Sequence, residues 1–519
     1  MIILVLLCFL SLFVSLLFSK VIVKGSDNYY HKLLINLIRN NNNRFITKHD
    51  NFINENLNSY PQLLHWLFSL FSDEFVQKFS RFLSPFFQIL INLSFLGFIL
   101  MLEYFNVILV SYNLKVLGVL LFQLIPYNFN VANAKNSGLS ARGLGLFLGQ
   151  NLVFTIVLYI VSGSYIYLGV SGLTVMLIFL SSQFATQFAL LFSIISSILL
   201  TDVALMLPFI IGITGMLVFF NKYTKVLIKG QLNHKIVYSQ FLAERFILKQ
   251  RPSVWLDIFI ELPKEIYYVI TRQVSKERFG FVDYMLNSSI VIFIFEMPFL
   301  FSIMVNSSNF ENEILGELFF LVLSAVIIFL ATTFRKFRFL GEPERYLEFV
   351  LPVLIIVLIS TLPPITICFI FIYNLIFVLV YFLYKKKTFK IDNTVDENVK
   401  EVNFVMSEYG HEKGFSVITN NSETGKYFFD VNIKMYFYLV NMRSVDGLKF
   451  QDVFTEFYPL IRADSFAVLV KKYRVPYVFL KNLDKDKYLS ELQKSELKME
   501  LLVDGENNSL YRVNEYLIA

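Results

Sequence analysis

Apolar runs that approach the length of a membrane span recur along this chain, separated by short polar connections. A hydrocarbon core needs about 20 mostly apolar residues per helix. Stretches of that kind lie at residues 83–102, 105–126, 144–161, 165–180, 184–200, 203–220, 288–305, 315–334, 349–362 and 365–384. Residues 1–23 are apolar apart from serines and Lys20, with no basic leader and no small-x-small cleavage site before Asp27. They therefore read as an uncleaved first membrane helix rather than a signal peptide. Together the runs predict about eleven membrane helices by length alone. The run at 205–217 contains Pro208 and Gly212 and predicts half of a broken helix, which bundles tolerate around cavities.

Three segments break the pattern. Residues 24–82 form a polar first loop, read as extracytoplasmic, whose stretch 63–71 predicts a helix lying in the membrane interface. Residues 222–284 alternate aromatic with basic positions, as in Ala243-Glu244-Arg245-Phe246-Ile247-Leu248-Lys249, and predict amphipathic surface helices. From Lys385 the composition turns soluble. Strand-like runs at 415–419, 427–431, 477–480 and 509–513 alternate there with helical ones at 465–472 and 487–502, which predicts a compact α/β domain. The expected organisation is a membrane domain over 1–384 and a C-terminal soluble α/β domain over 385–519.

Composition strengthens the membrane reading. Of 519 residues 56% are hydrophobic and 17% charged, with a mean hydropathy of +0.58. A soluble protein could not bury that much apolar surface. The net charge of +6 is spread through loops, which argues for topological signals and against a nucleic-acid site. Lys385-Lys386-Lys387 and Arg335-Lys336-Phe337-Arg338 read as cytoplasmic, and Phe310-Glu311-Asn312-Glu313 as external. The two cysteines, Cys8 and Cys368, lie in apolar runs and argue against a disulfide framework or a cysteine-ligated zinc. No phosphate-binding glycine loop, nucleophile elbow or dinucleotide fingerprint occurs.

The chemistry-bearing candidates sit in two places. Asp27 emerges directly from the first helix in Gly25-Ser26-Asp27-Asn28-Tyr29-Tyr30-His31. It suits either a helix N-cap or a base meeting an acceptor hydroxyl where water borders lipid. His31 follows four residues later, and Tyr60 and His65 lie in Tyr60-Pro61-Gln62-Leu63-Leu64-His65; all three are candidate substrate contacts. Asp50 and Glu55 are the loop's other carboxylates, and no adjacent acidic pair offers a divalent cation an evident ligand set. The second place is Gly341-Glu342-Pro343-Glu344-Arg345-Tyr346, where Arg345 is either a positive-inside anchor or a fork for a lipid phosphate beside Glu342 and Glu344. Arg142, in Ser140-Ala141-Arg142-Gly143, is a weaker candidate of the same kind.

The layout of a first helix ending at Asp27, then Asp-x-x-x-His, then Tyr-Pro-x-Leu-x-His, resembles the GT-C superfamily of integral-membrane glycosyltransferases. The turn at Gly341–Tyr346 resembles one in bacterial members, and Leu469-Val470-Lys471-Lys472-Tyr473-Arg474-Val475-Pro476-Tyr477-Val478-Phe479-Leu480 resembles their terminal domains. The chain departs from the pattern in having Asn28, not a second acid, beside Asp27. The resemblance implies an α-helical polytopic GT-C-like enzyme in a bacterial plasma membrane. It would move a hexosyl or pentosyl group from a polyprenyl-phosphate carrier to a glycan, lipid or protein, with inversion and with Asp27 as base, as in assembly of cell-envelope polysaccharide. The competing readings are a lipid-linked glycan flippase or exporter and a polysaccharide polymerase or ligase.

Overall fold

The computed structural model describes residues 27–125, 139–237, 313–388 and 393–516, apart from short breaks, with isolated positions elsewhere. The chain forms two compact units. One comprises Met1–Ile22, Ser72–Asn221 and Gln250–Phe389; the other comprises Val23–Phe71, Lys222–Lys249 and Lys390–Ala519.

The first unit is a helical bundle. Among the described residues, the helices Leu83–Tyr104, Arg142–Ser162 and Glu313–Thr333 are long and apolar enough to cross a membrane. Shorter apolar helices occupy Tyr112–Leu124, Ile166–Ser181, Gln183–Leu199, Val203–Phe219, Leu351–Thr361 and Pro364–Val380. The expected span at 288–305 and most of residues 1–23 lie outside the described residues. The region expected to be a broken helix differs. A short 3₁₀ turn, Val203–Met206, leads into an unbroken helix over Leu207–Phe219 with Pro208 in its first turn. Proline there gives up an N–H that would have had no partner, so nothing breaks.

Glycines let these helices pack closely. A Cβ on Gly145 would sit 2.5 Å from Ser182 Cβ, and one on Gly149 would sit 2.3 Å from Phe349 Cδ1. Phe349 in turn stacks on Phe188 at a centroid distance of 4.1 Å. These contacts put the start of Arg142–Ser162, the Ser181–Gln183 junction and the residues before Leu351–Thr361 at one end of the bundle. At the opposite end Tyr159 Oη donates to Asp202 Oδ2 at 3.0 Å, and Lys115 pairs with Glu103 at 2.6 Å.

The second unit is built on a five-stranded sheet. Its strands are β1 (Ser416–Thr419), β2 (Lys434–Met435), β3 (Tyr477–Lys481), β4 (Leu497–Asp504) and β5 (Asn508–Tyr516), in the spatial order β2-β1-β3-β5-β4. β1 runs parallel to both β2 and β3, while β5 is antiparallel to β3 and β4. Helix Ala463–Tyr473 packs Phe466, Leu469 and Val470 against Val478 and Leu480 of β3, because its apolar residues recur at helical spacing. Two expectations fail here. Of the residues 427–431 read as a strand, 427–430 form a 3₁₀ turn and coil, and the strand comes later at Lys434–Met435. The helix expected over 487–502 ends at Lys494, Glu496 turns with φ +63°, and β4 follows. Alternation in Leu497-Lys498-Met499-Glu500, and pairing with β5, outweigh the helical propensity of Lys, Glu, Met and Leu.

The first loop packs into this same unit. Helix Asp27–Asn40 contributes Leu33 to the hydrophobic cluster that includes Phe428, Phe429, Phe479 and Leu510. Residues 51–53 line the free edge of β2: Met435 N donates to Asn51 O at 2.9 Å, and Ile53 N donates to Met435 O at 2.8 Å. Helix Leu63–Ser69 buries Leu64, His65 and Phe68, while Leu67, Leu70 and Phe71 around it remain exposed.

Gly149→Ala tests the close packing of the bundle. The added methyl cannot fit without displacing Phe349, so a loss of about 1–3 kcal/mol is expected, read as a lower thermal midpoint in detergent. Gly97→Ala, where a Cβ meets nothing within 4 Å, should leave the midpoint unchanged.

Candidate functional site

The sequence candidates fall into separate places. Asp27 is the first residue of helix Asp27–Asn40. His31, one turn on, is buried, as is His65, and the structure brings the two together: His31 Nδ1 and His65 Nε2 are 2.8 Å apart, with ring planes 17° from parallel. One imidazole donates and the other accepts, since neither can do both at one nitrogen. Tyr60 stands edge-on to both rings at 5.6 Å. Tyr30 extends the cluster, with its ring against Tyr60 and Phe429 and its hydroxyl 3.3 Å from His49 Nε2.

The local chain is stiff. Gln62 is fully buried, its Oε1 accepting from Ile46 N at 2.9 Å and its Nε2 donating to Ile46 O at 2.6 Å. Tyr223, in helix Asn221–Val237, donates to the Tyr60 carbonyl at 2.8 Å. Burial holds the His65 imidazole well below its usual pKa, the charge of a protonated His31 lowers it further, and the Pro61 carbonyl pulls weakly the other way. Burial likewise depresses His49, to about 3, against a hydrogen bond with Asn58. These rings are therefore neutral at physiological pH. Asp50 and Glu55 lie outside the described residues, and among the described residues no group of three or more His, Cys, Asp or Glu could hold a metal ion.

The second set belongs to the bundle. Glu344 is buried, and Arg345 is half-buried with its guanidinium carbon 3.9 Å from the centroid of Phe184. The turn before them is fixed by Gly341 at φ +113°, where a Cβ would also press on Phe184. It is held too by Tyr346 Oη, which donates to Leu340 O at 3.0 Å. Stacking on the ring holds the guanidinium in one orientation. Arg142 is exposed at the start of its helix, at the same end of the bundle. Glu342 lies outside the described residues.

Sequence reading missed a third place. β1 leads onward to β2 on one side, and β3 lies on its other side, so the strand order reverses between β1 and β3. Outside the carboxyl ends of such a pair is where open α/β sheets form their binding crevice. The residues there are Thr419, Asn420 and Asn421 after β1, and Asn482 after β3. Asn420 is fully buried; its Oδ1 accepts from Lys481 N at 2.9 Å, and its Nδ2 has no hydrogen-bond partner among the described residues. Asn482 Nδ2 donates to Gly505 O at 2.9 Å. Lys485 Nζ reaches Asp504 Oδ1 at 2.9 Å and Ser509 Oγ at 3.0 Å. The signal that could have found it is Asn420-Asn421-Ser422 directly after an apolar strand.

Neither a protein-family model nor a curated protein matches the sequence. Solved structures do. The Archaeoglobus fulgidus oligosaccharyltransferase tethered to an acceptor peptide containing the NVT sequon is 11% identical, with a TM-score of 0.52 over 99% of this chain and 74% of that one. Archaeal AglB from the same organism, in complex with an inhibitory peptide and a dolichol-phosphate, gives 10% identity and a TM-score of 0.53 over 99% and 75%. The complex of that oligosaccharyltransferase with Zn and sulfate gives 12% and 0.53 over 97% and 73%. At this identity the likeness shows the fold, which is the GT-C fold; the solved structures are archaeal.

The depressed imidazoles predict an acid limit for the second unit. Both folded-state pKa values lie below the unfolded value of 6.5, so the unfolded chain binds protons first. The stability they contribute is complete above pH 6.5 and is lost as pH falls toward the folded values, at about 1.4 kcal/mol per pH unit per group. Thermal unfolding followed from pH 7 to pH 4 should show this slope, and His49→Gln combined with His65→Gln should flatten it.

Proposed function

We propose that the chain is a membrane glycosyltransferase that moves a sugar from a lipid-phosphate carrier to a polypeptide acceptor. The reading is supported foremost by one observation: the loop that carries Asp27 packs into the sheet unit, with Leu33 and Phe52 in one hydrophobic cluster with Phe428, Phe429 and Phe479. The GT-C fold over nearly the whole chain favours sugar transfer, and its solved neighbours carry an acceptor peptide and a dolichol-phosphate.

In this mechanism the acceptor attacks the anomeric carbon from the face opposite the phosphate. The new bond to the acceptor forms as the bond from that carbon to the phosphate oxygen breaks, which inverts the centre. The electron pair leaves with the phosphate, and the cations of the bundle, Arg345 and Arg142, are the candidates to stabilise its charge. Asp27 takes the proton released by the acceptor. His31, Tyr60 and His65 brace the helix that carries it. Glu344, buried beside Arg345, orients the turn, with Glu342 as a further contact of the donor. The carrier is a polyprenyl or dolichyl phosphate and the host is a cell membrane.

Asp27→Asn should reduce transfer to a peptide acceptor by roughly 10²–10⁴-fold at unchanged expression. Wild-type transfer by that variant would leave Asp27 as a loop residue. Arg345 has a separate test. Arg345→Lys should lose transfer nearly as fully as Arg345→Ala, because an ammonium cannot reproduce a bidentate fork. If Lys restores activity and Ala does not, Arg345 serves topology, since the positive-inside bias counts both alike.

A further inference from the structure

Helix Asn221–Val237 has two faces of opposite character. Tyr223, Leu227 and Gly230 are buried, and their face is locked onto the first loop. Tyr223 donates to the Tyr60 carbonyl at 2.8 Å, its ring stacks on Phe45 at 5.1 Å and 29°, and a Cβ on Gly230 would overlap Ser59. Lys222, Lys225, Lys229 and Leu232 are exposed. Their spacing of three, four and three residues places them in one stripe along the helix. The apolar side is thus taken by the loop, and the side left outward is cationic.

Nothing in the helix offsets that charge. Residues 221–237 include no Asp or Glu, and among the described residues no hydrogen bond or ion pair reaches the three lysines. Like charges at these spacings repel one another. Lys222 and Lys225 also lie near the positive end of the helix dipole, where a cation is disfavoured. The arrangement costs stability in water and suits an anion supplied from outside. Only Phe220 separates this helix in the chain from the apolar helix Leu207–Phe219, and a bilayer has its headgroups where an apolar helix ends.

We propose that Lys222, Lys225 and Lys229 form a docking surface for anionic phospholipid, each ammonium meeting a headgroup phosphate of the surrounding bilayer. The proposal rests on the membrane setting given above and on no part of the transfer chemistry. Because the opposite face is locked to Ser59 and Tyr60, the lysines stand on a rigid support and not on a loose tail. Contact is made by charge, with no apolar face inserted into the bilayer.

The test places the full chain in phosphatidylcholine nanodiscs with and without phosphatidylglycerol, and maps lysine acetylation by mass spectrometry. Phosphatidylglycerol should slow acetylation of Lys222, Lys225 and Lys229 by about fivefold each, relative to the exposed Lys471 and Lys487 of the same unit. High salt should abolish the protection, because it screens surface charge. In neutral detergent, native mass spectrometry should count fewer bound phosphatidylglycerol molecules on the triple variant Lys222→Gln, Lys225→Gln, Lys229→Gln than on the wild type. The triple variant Lys222→Arg, Lys225→Arg, Lys229→Arg should keep the wild-type number, which separates loss of charge from loss of fold. Equal acetylation in the two discs, or an unchanged lipid count in the Gln variant, would overturn the docking surface. Equal protection by inorganic phosphate in phosphatidylcholine discs would overturn it too, in favour of a site for free anions. Protection by polyprenyl phosphate and not by phosphatidylglycerol would assign the stripe to the carrier instead. Sugar transfer is assayed in the same discs: protection without transfer leaves the docking surface standing and removes the transferase reading, whereas transfer without protection removes the docking surface alone.

Discussion

The pairing of residues 51–53 with the edge of β2 is the constraint on which the second unit depends. β2 is only two residues long, and an edge strand of that length exposes backbone groups that water or another chain could claim. The bonds between Asn51, Ile53 and Met435 satisfy them from within the same chain, and Asn51 Nδ2 adds a further bond to Asp430 O at 2.8 Å. Phe52 enters the core beside Phe429, and helix Asp27–Asn40 adds Leu33 to the same cluster while Leu34 and Ile38 pack on Ile46. The helix that begins at Asp27 is thus held both by its own loop and by a sheet hundreds of residues away in sequence.

The bundle follows a different logic. Several of its polar groups are tied to backbone or to a ring: Gln150 Nε2 donates to the Glu348 carbonyl at 2.8 Å, Tyr346 to Leu340, and Arg345 rests on Phe184. In a setting without water, an untied polar group costs several kcal/mol. The turn through Gly341 thus combines two demands, a backbone conformation suited to glycine and a cation held at the bundle end.

Much of the helical order was legible in the sequence, because apolar runs have a length that bilayers dictate. The described helices match the expected spans to within a few residues for 83–102, 144–161, 165–180 and 184–200. Proline misled at 205–217, where its position within the helix decides whether it breaks anything. In the C-terminal domain, β1, β3 and β5 were legible as β-branched and aromatic runs, whereas β4 was hidden: Lys498, Met499, Glu500 and Leu501 favour a helix locally, and only pairing with β5 overrules them. Of the candidate site, the motif around Asp27, His31 and His65 stood out as polar residues at an apolar boundary. Asn420 did not, because an asparagine after a strand looks like any turn residue until the strand order is known.

The Asn51–Asp430 bond spans 379 positions, and that separation has a consequence for biogenesis. At about 5–20 residues per second of synthesis, the first loop leaves the ribosome roughly 20–75 s before its sheet exists. Through that interval Leu33 and Phe52 lack the sheet residues of their cluster, although Leu34 and Ile38 can already pack on Ile46 within the loop. A newly made chain must therefore keep its first loop soluble, or shielded by a chaperone, until the last strands are translated, and truncations near the C-terminus should be felt first at the other end of the protein.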